Sequence, residues 1–358
     1  MYPRLLIMLL FALLIIALVM YLVFPGLLKP HTTPVKPRDN STVSIAELKK
    51  LELGGMDQYI LIRGMDRSKP VLLWLHGGPG AAQMPLAHAL DKELESEFVV
   101  VHWDQRGAGK SNHCGFDAQT MTFDRYKDDA LELVRYLKKR FGQEKVFLLG
   151  HSWGSQLGME LAAQHPEHFH AYIGVSQVVD NHRGYEISRE WLLKQMQQAE
   201  NHGDLDKLEK LGDPPYTRHE KHVAFAHMVG DYGGNFDVSM PRLAWMALRA
   251  PEYSFRDYLR WFNGANRGSG PMWDEVYATR TNYIEEIPSV QIPVFFLAGK
   301  NDYNTPLKLV EEYCQHLDAP MKDLIVFEQS AHTPFLGEKE AFSAALIRLK
   351  VKVENFYE

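Results

Sequence analysis

The sequence predicts an α/β protein in which a mostly parallel, doubly wound sheet carries a helical cap insertion and follows an N-terminal transmembrane helix. Short, near-continuous apolar runs alternate with segments of helical periodicity, which is typical of strands covered on both faces by helices. The chain has 358 residues, of which 46% are hydrophobic and 11% aromatic. This composition supplies enough apolar side chains for a sizeable core and excludes a disordered polypeptide.

The first element is an apolar run at residues 5–24, which holds no charge and consists mainly of aliphatic residues. At about 1.5 Å per residue, a helix of this length crosses a bilayer core of roughly 30 Å. The run ends in Phe24-Pro25-Gly26, unlike the small residues of a signal-peptide cleavage site, so we expect an uncleaved single-pass anchor. The side of the membrane stays open, because basic residues flank the run on both sides, at Arg4, Lys29, Lys36 and Arg38.

A tether follows at residues 29–44, where prolines stand among polar residues at Pro30, Pro34 and Pro37. This composition predicts an extended segment that holds a domain clear of the lipid. The expected organisation is an anchor at 1–28, the tether at 29–44, the first part of an α/β core at 45–180, a cap at 181–290 and the second part of the core at 291–358.

The sheet is expected to begin with a hairpin, because Lys50–Leu53 and Gln58–Ile62 flank Gly54-Gly55. Apolar runs predict the further strands Val71–Leu75, Phe98–Val101, Val146–Leu149, Ala171–Val175, Val294–Ala298 and Leu324–Phe327. Helical spacing predicts Tyr126–Arg140, Gln156–Gln164 and Glu340–Val353. The stretch between Asp180 and Pro293 is too long for a plain crossover, and its helical pattern predicts the cap.

Composition also excludes several classes of function. With 39 Lys and Arg against 45 Asp and Glu, the net charge is −6, which offers no basic footprint for nucleic acid. Cys114 and Cys314 form neither a disulfide framework nor a cysteine metal site, and their redox state stays open. We expect no metal or organic cofactor, and the oligomeric state stays open.

The strongest chemical signal is Gly150-His151-Ser152-Trp153-Gly154, which stands between a predicted strand and a predicted helix. This is the context of a G-x-S-x-G nucleophile elbow, in which a strained turn presents the serine and requires very small residues two positions before and after it. The helix N-terminus behind the serine favours developing negative charge. Ser152 is therefore the candidate nucleophile, whereas we expect the His151 side chain to point away and pack.

A candidate acid and base follow in the chain order Ser, Asp, His. Asp302 comes after the strand Val294–Ala298, and His332 comes after the strand Leu324–Phe327. In these roles His332 takes the proton from Ser152 and returns it to the leaving group, while Asp302 holds the imidazole tautomer. The expected oxyanion donors are the backbone N–H groups of Trp153 and of Gly78, which lies in the glycine-rich loop 76–80.

Three motifs together resemble the proline iminopeptidase branch of the α/β-hydrolases, peptidase family S33: His76-Gly-Gly-Pro-Gly80, Asp104-Gln-Arg-Gly-Ala-Gly-Lys-Ser111 and Gly150-His-Ser-Trp-Gly-Ser155. The resemblance extends from about Lys49 to the C-terminus and is weakest in the cap. It implies an α/β-hydrolase fold and a serine hydrolase that releases an N-terminal residue, often proline, from small peptides. We expect the Asp and Arg of the second motif to brace the turn rather than to react.

The cap is where the sequence departs from that family, whose members hold the substrate's free amine with cap glutamates. The candidates are Glu186, Glu190 and Glu252, although each also fits a solvated helix charge. Cap aromatics either form the cap's own core or line an apolar pocket; they include Trp245, Tyr253, Trp261 and Trp273. Substrate-binding residues are therefore not assigned.

Three functional hypotheses follow, and they differ in kind. The first is a membrane-anchored aminopeptidase that acts on short peptides, and the second is an esterase or amidase that acts on a small apolar ester or lactone. The third is a non-catalytic anchored binding protein, which a complete set of candidate catalytic residues disfavours. Haloalkane dehalogenase and epoxide hydrolase chemistry is also disfavoured, because those α/β-hydrolases use an Asp nucleophile where this chain has Ser152.

Overall fold

The structure is a computed structural model, and it describes Phe24 and residues 26–113, 117–276 and 281–358, together with Met8, Phe11, Ala12, Leu14, Ile15 and Leu18. Side chains at 265–269 and 273–276 are not described. Cys114 and the side chain of Trp273, both named above, therefore lie outside the described part of the chain.

One sheet of eight strands organises the described residues, in the order β1-β2-β4-β3-β5-β6-β7-β8. The strands are β1 Ile45–Leu53, β2 Met56–Gly64, β3 Val71–Leu75, β4 Val99–Asp104, β5 Val146–His151, β6 Phe169–Val175, β7 Val294–Gly299 and β8 Lys322–Phe327. The pairs β1/β2 and β2/β4 are antiparallel, and the other pairs are parallel. The predicted fold class, hairpin included, is confirmed for this sheet.

Helices cover both faces of the sheet because successive strand residues point to opposite sides. Leu73 and Leu75 belong to one hydrophobic core, and Leu72 and Trp74 belong to the other. The helices are α1 Ala87–Leu90, α2 Phe123–Phe141, α3 Trp153–Gln164, α4 Asn181–Gln198, α5 His202–Leu211, α6 His219–Asp231, α7 Met240–Leu248, α8 Phe255–Val276, α9 Tyr283–Glu286, α10 Leu307–His316, α11 Pro334–Gly337 and α12 Lys339–Tyr357.

The long insertion between β6 and β7 contains α4 to α9, as its helical pattern predicts. Its two ends meet, since Asp180 and Asn282 form an antiparallel bridge. Two backbone hydrogen bonds continue the pairing, from Asn181 N to Thr281 O at 3.2 Å and from Tyr283 N to Val179 O at 2.9 Å. The insertion therefore leaves and re-enters the core at a single closed neck.

The proline-rich segment that follows the predicted anchor lies against the folded domain. His31 N donates to Pro251 O at 2.9 Å, and Arg38 N donates to Met65 O at 3.3 Å. Val35 is buried, so the segment packs on the domain and does not stand clear of it. The predicted anchor at 5–24 lies for the most part outside the described residues, among which no helix is both long and apolar enough to cross a membrane.

Candidate active site

Ser152 occupies the sharp turn between β5 and α3. Its backbone angles, φ 54° and ψ −120°, place a non-glycine residue in a rarely populated region. The flanking glycines have no room for a side chain: a Cβ on Gly150 would lie 2.3 Å from Gly154 O, and one on Gly154 would lie 2.3 Å from Leu75 O. The two glycines are therefore required by close backbone packing, and the turn holds Ser152 at the carboxyl edge of the sheet.

His332 and Asp302 meet at the same edge, as the chain order predicts. His332 Nδ1 lies 2.9 Å from Asp302 Oδ2, and both side chains are buried. The backbone N–H groups of Asn304 and Thr305 donate to Asp302 Oδ1, and the Thr305 hydroxyl donates to Oδ2 at 2.8 Å. Burial alone raises the pKa of a carboxyl, but the contacts with His332 and Thr305 hold the pKa of Asp302 below its ordinary value.

The second nitrogen of His332 is engaged by a side chain that the sequence analysis did not name. Asn304 Nδ2 lies 3.0 Å from His332 Nε2, so the amide donates to the lone pair that a general base needs. This arrangement fixes the tautomer, with the proton on Nδ1 and shared with Asp302. Among the described residues no hydrogen bond joins Ser152 Oγ to His332.

The predicted oxyanion donors flank the serine. Gly78, with φ 121°, lines the same cavity as Ser152, and Trp153 opens helix α3. Within the described part of the chain neither backbone N–H donates to another protein group. Gly77 also approaches closely, since a Cβ there would lie 3.2 Å from Ser152 Cβ. A substrate oxygen could therefore receive two backbone donors beside Ser152.

The motif at residues 104–111 stabilises the loops at this edge of the sheet, as expected. Gln105 joins two loops, because its amide donates to His76 O at 3.2 Å and its carbonyl accepts from Trp153 Nε1 at 3.1 Å. Arg106 forms a buried ion pair with Asp129. Asp104 accepts from Lys110 N at 2.8 Å and from the Tyr253 hydroxyl. Burial raises the pKa of Asp104 to about 7.

The expectation that His151 points away from the site is wrong. His151 Nε2 donates to His332 O at 2.9 Å, and the side chain lines the cavity beside Ser152. Burial lowers the pKa of His151 to about 3, so the ring is neutral at ordinary pH. Ser176 donates to the same carbonyl at 3.0 Å. His151 is therefore a positioning residue for the backbone of His332.

Two cavities meet at Ser152, with volumes of about 50 Å³ and 280 Å³. Asn304 and His222 line both. The described lining of the larger cavity contains no acidic side chain and is mainly apolar, with Phe236, Leu243, Trp261 and Phe335 among its residues. Asp180 is the one acidic residue in the described lining of the smaller cavity.

The three candidate glutamates do not line these cavities. Glu186 and Glu190 are exposed, and Glu190 pairs with Lys194 on the surface. Glu252 is buried and lies 4.0 Å from Arg63 Nη1. Of the candidate aromatics, Trp261 lines the larger cavity, whereas Tyr253 is buried and Trp245 is half exposed.

The fold agrees with comparison to known proteins. Residues 70–339 match the family described as the alpha/beta hydrolase fold, and the chain belongs to that family. It is 34% identical to a protein of Bacillus subtilis named probable aminopeptidase YbaC, over 85% of this chain and 96% of that protein. It is 26% identical to a proline iminopeptidase of Clostridium botulinum, over 80% of this chain and 92% of that protein.

Among solved structures, the proline iminopeptidase of Mycobacterium smegmatis superposes with a TM-score of 0.64 at 21% identity, covering 87% of this chain and all of that one. At this level of identity the likeness shows the fold alone. The resemblance to the proline iminopeptidase branch is confirmed by the curated relatives.

Proposed function

We propose that the protein is a membrane-anchored serine hydrolase that releases N-terminal residues from short peptides. The observation that carries the proposal is the placement of Ser152 on a strained elbow beside the buried pair of His332 and Asp302. In this proposal residues 5–24 are the anchor, and residues 181–290 are the cap that shapes the substrate pocket. The names of the relatives support an aminopeptidase.

The proposed reaction proceeds through an acyl-enzyme on Ser152. His332 Nε2 exchanges its Asn304 donor for Ser152 and takes the hydroxyl proton as Oγ attacks the substrate carbonyl. The N–H groups of Gly78 and Trp153 stabilise the oxyanion, and His332 then protonates the leaving amine. Water repeats the sequence on the acyl-enzyme, while Asp302 stabilises the imidazolium that forms in both halves.

Asp180 is the group that we propose for the free amine of the substrate. It is almost fully buried, lies in the described wall of a cavity that Ser152 also lines, and accepts from His182 N at 3.1 Å and Arg183 N at 3.0 Å. Asp180→Asn keeps a good N-cap while it removes the charge. We expect this variant to raise KM for free-amine substrates and to leave ester turnover largely unchanged.

A second candidate function is an esterase. The larger cavity favours it, because the described lining of that cavity holds apolar side chains and no carboxylate. Such a wall suits an acyl or alkyl chain better than an ammonium group.

One experiment separates the two candidates. The full chain, in detergent or in lipid nanodiscs, is assayed with prolyl- and alanyl-arylamides, with their N-acetyl forms and with short-chain aryl esters. Ser152→Ala serves as the blank, and we expect it to lose several orders of magnitude in turnover. Cleavage of free-amine arylamides alone supports the aminopeptidase, and turnover of esters alone supports the esterase. An active Ser152→Ala protein would contradict the serine mechanism itself.

A further inference from the structure

The chain is pinned to the domain immediately after the predicted anchor. Phe255 N donates to Leu27 O at 3.0 Å, and a Cβ on Gly26 would lie 2.4 Å from Pro251 O. Further along, Arg63 Nη1 donates to Thr32 Oγ1 at 2.6 Å. The domain therefore has little freedom to move away from the point where the apolar run ends.

The end of the apolar run, at Phe24, lies beside Trp245 of helix α7. The rings of Phe24 and Trp245 meet edge to face, with centroids 5.8 Å apart, and Trp245 is 50% exposed. Before Phe24 the described residues of the apolar run are exposed rather than packed on the domain, as at Met8, Phe11, Leu14 and Leu18. If the run spans a bilayer, the membrane surface comes within reach of Trp245.

Helix α8, like Trp245 of helix α7, exposes large apolar side chains. Phe255, Leu259 and Phe262 are 61%, 51% and 56% exposed, and their spacing places them on one face of helix α8. Leu28, next to the Leu27 contact with Phe255, is 82% exposed. We call Leu28, Trp245, Phe255, Leu259 and Phe262 the apolar face. A face of this kind commonly marks an interaction surface.

Within residues 240–262 the exposed charges have one sign. In the stretch 240–262 the exposed charged residues are Arg242, Arg249 and Arg256, whereas both acidic residues, Glu252 and Asp257, are buried. The whole chain, by contrast, has a net charge of −6. Apolar side chains interspersed with arginines suit a lipid surface with anionic headgroups. A second copy of this chain would present the same positive face and repel it.

We propose that the apolar face rests on the bilayer, so that the domain lies on the membrane with its larger cavity beside the lipid. Helices α7 and α8 each contribute to the apolar face and to the wall of the larger cavity. Helix α7 carries Trp245 and the cavity residue Leu243, and helix α8 carries Phe262 and the cavity residue Trp261. This inference rests on the membrane anchorage proposed above. It implies that amphiphilic substrates enter from the membrane surface.

The test uses the full chain in nanodiscs of phosphatidylcholine and phosphatidylserine, prepared with ordinary or with brominated acyl chains. Bromine quenches tryptophan fluorescence only at close range, so the difference between the two preparations reports contact with lipid. We expect Trp245→Phe to remove most of this difference. Trp191→Phe is the matched control, because Trp191 stacks on Tyr303 at 4.0 Å and is not part of the apolar face.

A second variant, Phe255→Ser combined with Leu259→Ser, changes only exposed side chains and should lower the quenching of Trp245 without unfolding the protein. Quenching that is equal in the wild type and in Trp245→Phe, with the chain retained in the discs, would overturn the docking but not the anchor. A chain that alkaline carbonate extracts from membranes would overturn the anchor and this inference together.

Discussion

In the proposed mechanism Asn304 controls access to the base, because its amide donates to His332 Nε2, the nitrogen that would accept the proton of Ser152. Breaking a neutral hydrogen bond of this kind costs about 0.5–1.5 kcal/mol. We therefore expect Asn304→Ala to speed acylation of Ser152 by about two- to tenfold. The rate of fluorophosphonate labelling measures this step directly, without reference to the natural substrate.

Thr305→Val is the matched control for that measurement. It keeps the volume but removes the hydroxyl that donates to Asp302 Oδ2 at 2.8 Å, so Asp302 should hold the imidazole less well and labelling should slow. If both variants shifted the rate in the same direction, the effect would come from a general disturbance of the loop, and the role given to Asn304 would be wrong.

The tautomer of His332 could be predicted from the order of Ser152, Asp302 and His332, but its resting partner could not. Asn304 and Thr305 follow Asp302 by two and three residues, where an aspartate often accepts backbone N–H groups. The turn after Asp302 could therefore have been predicted from the sequence. The contact between Asn304 and His332 Nε2 could not be predicted in this way. The two residues lie on separate loops that come together only in the folded protein.

At the scale of an element, Asp104 at the end of strand β4 predicts an unusual dependence of stability on pH. Burial raises the pKa of Asp104 to about 7 from an ordinary value of 3.8. Between these values the folded chain binds a proton that the unfolded chain has released, so the contribution of Asp104 to stability falls as the pH rises through this window.

Asp104→Asn removes this dependence and keeps the geometry. Asp104 Oδ2 accepts both partners, whereas Oδ1 has no protein partner among the described residues, so an amide nitrogen fits at Oδ1. We expect the stability of the variant relative to wild type to increase from about pH 4 to pH 7. Urea unfolding of the detergent-solubilised chain at several pH values measures it, and a constant difference would contradict the prediction.

The elbow at Ser152 leads to a second prediction about the stability of a single element. Gly154→Ala places a methyl group 2.3 Å from Leu75 O, so the strand or the helix must shift, at a cost of about 1–3 kcal/mol or more. Gly203→Ala is the control, since its Cβ would lie 3.7 Å from the nearest atom within helix α5, where Ala is favoured over Gly. Unfolding experiments should show a lower free energy of unfolding for Gly154→Ala and a higher one for Gly203→Ala, each relative to wild type.

At the scale of the whole molecule, Lys110 ties the insertion to the core. Its ammonium lies 2.6 Å from Asp257 Oδ2 and 3.0 Å from Glu252 O, and both side chains of the ion pair are buried. Lys110→Met removes the ammonium group that compensates the buried negative charge of Asp257. We therefore expect a loss of about 3–5 kcal/mol in the free energy of unfolding.

Adding Asp257→Asn to Lys110→Met should restore part of this loss, because it removes the buried charge. Lys50→Met removes the exposed pair with Asp57 and should change the free energy of unfolding little, because water screens an exposed pair. A loss no larger for Lys110→Met than for Lys50→Met would show that the insertion does not depend on this contact.

The strands of the core and the presence of a helical insertion were predictable from sequence, but which side chains of the insertion are buried was not, for a physical reason. Buried parallel strands are continuous apolar runs, so Val71–Leu75 has the same limits in the sequence and in the structure. The insertion instead mixes exposed and buried aromatics at the same helical spacing. Nothing local distinguishes Tyr253, which is buried, from Trp245, which is exposed.

The closed neck of the insertion has a practical consequence. Because Asp180 and Asn282 are bridge partners, a segment that replaces residues 181–281 must begin and finish at neighbouring positions. Ser152, Asp302, His332 and the glycine-rich loop all lie outside that segment. Substrate choice could therefore be exchanged between relatives as a cassette, provided that the new segment keeps the hydrogen bond from His332 N to the carbonyl at position 235, which is 2.8 Å long here.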